Sequence, residues 1–192
     1  MRDPEFIIFT GPMFGSKTTR MLATLERYTY QNKDVLAFKP KMDDRYSESE
    51  ICTHSGLKFP AYVVATGAEI LERVETIAPD IVAVDEAFMI DGCAEAVLEL
   101  FRAGKTIVIS SLQLSASGNV FVEVRDMMPW ATKIEVCPAV CTVTGRDAYY
   151  THRKVEGLGE IVIGGIDLYE PRSWEHHPLM NHRNIHAHPK PQ

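Results

Sequence analysis

Apolar positions along the chain follow two rhythms. Short unbroken runs at Phe6-Ile7-Ile8-Phe9, Val35 to Phe38, Ile81-Val82-Ala83-Val84 and Thr106 to Ser110 have the length and β-branched content of strands buried on both faces. Between them, apolar residues recur at helical spacing: Leu22 and Leu25 share one side of residues 17 to 32, with Arg20, Glu26 and Arg27 on another. Residues 67 to 77 and 91 to 103 read as two further helices, and Tyr62 to Val64 as a short strand. Strands alternating with helices predict an α/β fold, a mostly parallel sheet flanked by helices. From Lys39 to Gly56 the periodicity lapses, and KPKMDDRYSESEICTHSG reads as a long mobile loop of the kind that serves function.

The pattern changes again near residue 137. Residues 1–136 read as the main α/β domain and 137–176 as a small lobe with a hairpin and a long closing loop. Residues 177–192, rich in His, Pro and Asn, read as a solvated tail. A chain of 192 residues, 45% hydrophobic and 24% charged, suits one ordinary domain with such an appendage. The net charge of −6 argues against a broad nucleic-acid surface. No apolar stretch approaches about 18 residues and no basic-then-apolar leader is visible, so a cytoplasmic location without membrane partners is expected. Cys52, Cys93, Cys137 and Cys141 are too scattered for a disulfide frame.

Candidate chemistry begins at GPMFGSKTT, Gly11 to Thr19, between the first strand and the first helix. A glycine-rich turn there lets backbone N–H groups face a nucleotide's phosphates, with Lys17 reaching the β/γ-phosphates and the Thr18 hydroxyl ligating Mg²⁺. The usual pattern is G-x-x-x-x-G-K-[ST]. Here Ser16 precedes Lys17 and the glycine is displaced to Gly15. A strand-to-helix turn with a solvated lysine is the plain alternative. Asp85 and Glu86 close the run Ile81 to Val84, where ligands bind in open α/β sheets. Asp85 would hold Mg²⁺ opposite Thr18 and leave Glu86 as a base; a helix-capping acidic pair is the alternative.

In order along residues 6 to 176, GPMF with its Lys-Thr pair, DDRYS, CTHSG, VDEAF, GKTIVIS and IVIGGIDLYEPR resemble the type II thymidine kinase family, the cellular, bacterial and viral enzymes distinct from the herpesvirus type. The resemblance implies a P-loop NTPase-like fold, ATP and Mg²⁺ as cofactors, thymidine as substrate and deoxyuridine as a secondary one. It implies that Gly11, Pro12, Met13, Phe14, Gly15, Ser16, Lys17, Thr18 and Arg45 bind the ATP phosphates. Thr18, Asp85 and Asp43 would associate with magnesium, and Glu86 would be the catalytic base. Leu22, Met89, Leu112, Phe121, Val162, Ile163 and Tyr169 would form the nucleoside pocket, under a lasso loop matching Glu160 to Tyr169. A homotetramer inhibited by thymidine triphosphate is also implied.

The chain departs from that family in two places. D-E-x-Q-F is here D-E-A-F-M, which puts Phe88 and Met89 where glutamine and phenylalanine are usual; L-D-x-x-F is Leu112-Gln113-Leu114-Ser115-Ala116. A pocket with less aromatic area is expected. The family's four zinc positions hold Cys141, Thr144, Ser173 and His176, and only two of these are competent ligands for a tetrahedral site. Zinc is therefore expected to be absent unless Cys137 or His177 completes a set with Cys141 and His176. Two other classes share the loop and the acids: a DNA-coupled P-loop ATPase, and a nucleotide-binding regulator without turnover.

Overall fold

The computed structural model describes residues 3–41, 49–53, 56–155, 159 and 161–181. Asp43, Arg45, Tyr46 and Ser47 of the long loop lie outside these, as do His54, Ser55, Glu160 and the chain beyond Asn181.

The chain forms β1 (Phe6–Thr10), α1 (Lys17–Tyr30), β2 (Val35–Pro40), β3 (Glu50–Cys52), β4 (Lys58–Pro60), β5 (Tyr62–Val64), α2 (Gly67–Ile77), β6 (Ile81–Asp85), α3 (Cys93–Arg102), β7 (Thr106–Ser111), α4 (Val122–Met127) and β8 (Lys133–Val136). Six strands make one sheet in the order β5-β2-β6-β7-β1-β8, and every neighbouring pair is parallel. Strand alternation sorts the core into two layers. Phe6 and Ile8 of β1 face the side covered by α2, α3 and α4, with Ile70, Val74, Val97 and Met127. Ile7 and Phe9 face α1, against Met21, Leu22 and Leu25. Burying each such side chain contributes about 1.5–3 kcal/mol, so the apolar runs are the main reason this sheet forms.

Two elements beyond the predicted set complete the frame. β8 is an edge strand whose Ile134 and Val136 are 44% and 45% exposed, so it has no continuous buried run. α4 is short, and its Glu123 carboxylate accepts from the N–H groups of Gly92 and Ala94 at 3.0 and 2.6 Å, satisfying the open end of α3. Within and beside the stretch read as a loop, β3 and β4 form an antiparallel hairpin.

The chain beyond β8 forms two small ladders, β9 (Ala139–Val140) with β10 (Asp147–Ala148), and β11 (Tyr150–Arg153) with β12 (Tyr169–Arg172). The next residues continue the packing: His177 is 2% and Asn181 5% exposed. Among the described residues no helix is long and apolar enough to cross a membrane.

Candidate active site

Because the six strands run in parallel, the carboxyl ends of β1, β6 and β7 open on one edge of the sheet, where ligands bind in such folds. Register puts Asp85 beside Ser110 and Thr10 beside Ser111. The turn after β1 and the acids after β6 therefore face each other across the end of β7.

The turn Gly11 to Ser16 is shaped by the backbone of Cys137. The Cys137 N–H donates to the Thr10 carbonyl at 2.7 Å. A Cβ at Gly11 would fall 2.3 Å from the Cys137 carbonyl oxygen, and one at Gly15 2.5 Å from the same atom. No side chain fits at either position. Ser16 has φ +58°, the left-handed conformation that glycine adopts most easily, and Phe14 has φ +65°. The displaced glycine is thereby explained: residue 15 requires room and residue 16 requires a left-handed turn, and this chain gives its glycine to the steric demand. The Ser16 side chain caps nothing, which leaves the first N–H groups of α1 directed at the turn, as anion binding requires.

Lys17 is 6% exposed and its ammonium donates to the Pro12 carbonyl at 2.8 Å. Burial lowers its pKa, while the carboxylates of Glu86 and Asp85 act in the opposite direction. The Thr18 hydroxyl donates to Asp85 Oδ1 at 3.0 Å, with Ser110 Oγ 3.5 Å away. Thr18 and Asp85 are hard oxygen donors side by side next to the phosphate turn. That donor set fits Mg²⁺, which takes one or two protein oxygens and completes its shell with phosphate and water. Ser110, a small hydroxyl at the end of a buried strand, is a site residue that the chain's patterning alone does not single out.

Glu86 adopts φ +48°, a strained conformation that turns the chain sharply out of β6 into a 3₁₀ turn at Ala87–Met89. Among the described residues five non-glycine residues have positive φ, and three of them, Phe14, Ser16 and Glu86, lie at this site. Glu86 lines a cleft that opens to solvent, with about 470 Å³ of empty space when its mouth is included. Met89, Leu112, Phe121, Val162, Ile163 and Tyr169 line it too. Leu22 instead packs with Met21, Leu25 and Ile7 in the layer beneath α1.

The floor of the cavity restores aromatic surface. Phe88 and Phe121 meet with ring centroids 4.3 Å apart and planes at 37°, packed with Leu112 and the half-buried Met13 and Met89. Ser111 Oγ accepts from the Phe88 N–H at 3.2 Å and holds that ring in place. Phe88 and Ala116, far apart in sequence, thus line the same cavity, and Phe88 supplies aromatic surface there. On the opposite wall, the Tyr169 hydroxyl donates to the Val162 carbonyl at 2.7 Å and ties residues 162 to 169 into a closed turn. Met13 lines this cavity, while Phe14 packs on Ala139, Cys141 and Ala148 of the small lobe.

The candidate zinc donors Cys137, Cys141 and His177 are each engaged separately. Cys137 is buried with Ile7 and Val108 under the main sheet, separate from the cluster that holds Cys141. His177 is engaged with Thr151 and Leu179. Among the described residues no group of three His, Cys, Asp or Glu converges. Burial pushes the Cys141 thiol up, but hydrogen bonds from the Thr144 hydroxyl and from the backbone of Ser173 and Val143 outweigh it and hold its pKa at about 6. Polar groups at positions 144 and 173 thus satisfy the sulfur directly.

A family model described as "Thymidine kinase" matches residues 5–177. A thymidine kinase of Thermococcus kodakarensis is 34% identical over 181 residues, covering 88% of this chain and 92% of that protein. A thymidine kinase of Pyrobaculum aerophilum is 33% identical over 183 residues, covering 90% and 98% respectively.

Proposed function

The chain belongs to the thymidine kinase family, enzymes that phosphorylate thymidine for deoxynucleotide salvage, and from that premise we propose that it moves the γ-phosphoryl group of ATP to the 5′-hydroxyl of thymidine across the cleft between Lys17 and Glu86. The observation that carries this reading is that Glu86 lines the apolar cleft while its carboxylate also acts on the buried Lys17 ammonium of the phosphate turn. One acid thus borders both substrates.

Glu86 accepts the proton of the 5′-hydroxyl as that oxygen attacks the γ-phosphorus in line. Lys17 and the first amides of α1 stabilise charge on the transferring group. Thr18 and Asp85 would hold Mg²⁺, which would supply charge neutralisation at the transferring phosphates. Asp43 and Arg45, outside the described residues, would join the metal and the phosphates as the family resemblance implies. Apolar contact from Met13, Phe88, Met89, Leu112 and Phe121 selects a flat base. Residues 160 to 169 act as the lasso over it, Val162 and Ile163 offering main-chain groups and Tyr169 meeting the sugar. Thymidine is the preferred substrate and deoxyuridine follows, since a methyl group is worth only about 1–3 kcal/mol of discrimination.

A homotetramer, inhibition by thymidine triphosphate and a cytoplasmic location complete the reading. The test is ATP consumption with each deoxynucleoside, with single-stranded DNA and with neither. Turnover with thymidine above the other nucleosides is expected. Consumption driven by DNA alone, or tight thymidine binding without turnover, would replace the kinase with an ATPase or a regulator.

A further inference from the structure

Thr151 connects three parts of the molecule. It is 6% exposed and lines the cavity, and its hydroxyl accepts from the Met13 N–H of the phosphate turn at 3.0 Å. Its carbonyl meets His177 Nε2 at 3.0 Å. A carbonyl only accepts, so Nε2 carries the proton; Nδ1 in turn accepts from the Leu179 N–H at 3.3 Å. Both ring nitrogens of His177 are thus used, with the side chain 2% exposed.

The strand geometry explains why this contact is needed. Lys154 donates to the Leu168 carbonyl, which puts the ladder bonds of β11 at its even-numbered residues. Thr151 pairs opposite Pro171 between those bonds, so its carbonyl points to the outer edge of the ladder, beyond reach of β12. His177 satisfies it there. Tyr150 and His152, on the other face of the strand from the Thr151 side chain, hold the His177 ring at centroid distances of 5.6 and 5.9 Å. The same segment reaches the far rim of the cavity: a Cβ at Gly118, in the turn after Ser115, would lie 3.6 Å from Leu179.

We propose that His177 is a positioning residue for both substrates, acting through Thr151: it anchors the strand whose hydroxyl holds the phosphate turn at Met13 and whose side chain walls the nucleoside cavity. The substrates named here rest on the kinase reading above. The hydrogen-bond relay itself does not.

Two measurements separate those levels. Hydrogen exchange at the Met13 amide reads the relay with no substrate present. His177→Phe keeps the ring but loses the donor, and is expected to speed that exchange about tenfold, the scale of one hydrogen bond. His177→Gln, which can still donate to the Thr151 carbonyl, should recover most of the protection. Thr151→Val should match His177→Phe, and Thr151→Ser should resemble the parent. In steady-state assays well below each melting temperature, His177→Phe should raise KM for ATP and thymidine several-fold with a smaller change in kcat. The double variant His177→Phe/Thr151→Val should be no worse than Thr151→Val alone, because the two act in series.

Unchanged Met13 exchange in His177→Phe, or independent and multiplicative effects in the double variant, overturns the proposal. If His177→Phe does not fold, the Gln variant and the Thr151 pair decide it: equal exchange in Thr151→Val and Thr151→Ser defeats the relay. If exchange responds as expected but the parent protein does not phosphorylate thymidine, the kinase reading fails and the relay stands.

Discussion

At the end of the main sheet, Lys17, Asp85 and Glu86 grow from strands whose residues Phe6 to Phe9 and Ile81 to Val84 are at most 5% exposed. In the small lobe the ladders are two to four residues long and the decisive contacts are polar: the Met13 amide on Thr151, the Thr151 carbonyl on His177, Thr144 on Cys141. The first region gains its rigidity from burial, which tolerates strain such as the positive φ of Glu86. The second has little apolar area and depends on every polar group finding its partner. On the proposed reading, chemistry falls to the burial-stabilised region and the nucleoside wall to the one held by hydrogen bonds. Substitutions at the strand ends should accordingly remove turnover with little unfolding, while those in the lobe should shift stability and substrate affinity.

The sharpest contrast comes from Lys17→Met, which keeps the buried stem and removes the charge. Phosphoryl transfer should fall to background while the melting temperature stays within a few degrees; near-normal turnover in a folded variant would break the assignment of the phosphate turn. Glu86→Gln should lower kcat by about 10²–10⁴ with thymidine and ATP still bound, as loss of a general base does. Isothermal titration beside single-turnover kinetics reads both quantities. Asp85→Asn should differ from it in being partly relieved by raised Mg²⁺.

The displaced glycine separates room from backbone conformation within one loop. Ser16→Gly should leave KM for ATP within about twofold, because glycine adopts the left-handed turn at little cost. Adding Gly15→Ser drives a side chain into the Cys137 carbonyl and should raise that KM more than about tenfold. Equal affinity in the two variants would show that the Cys137 backbone yields freely.

The smallest effect is expected in the lobe. Elemental analysis should find zinc well below one per chain, and a chelator should leave the melting curve unmoved. Cys141→Ala should lower the melting temperature by about 2–4 °C, roughly 1 kcal/mol in a chain of this size. One tightly held zinc lost with Cys141 or His176 would place the lobe under metal control and remove its contrast with the sheet.

Several features were legible in the chain because each is written in neighbouring residues. The runs Phe6 to Phe9, Ile81 to Val84 and Thr106 to Ser110 are the buried strands; α1 begins at Lys17 as read; Asp85 and Glu86 sit at the end of β6. β8 escaped notice because an exposed edge strand has no unbroken apolar run. Tertiary packing carries Leu22 under α1, although its helical spacing suits a core position as well as a pocket one.

The sequence by itself determined an α/β chain of this family with a glycine-bearing turn after the first strand and two acids at a strand end. Parallel strands all carry their carboxyl ends to one edge, so identifying the strands was enough to gather those residues. Only the tertiary structure decided that Gly15 serves the Cys137 carbonyl, that Phe88 lines one cavity with Ala116, and that His177 holds Thr151 against the phosphate turn. Each of these joins residues more than twenty positions apart, and such a contact leaves no period in the chain because its geometry exists only once the intervening residues have folded.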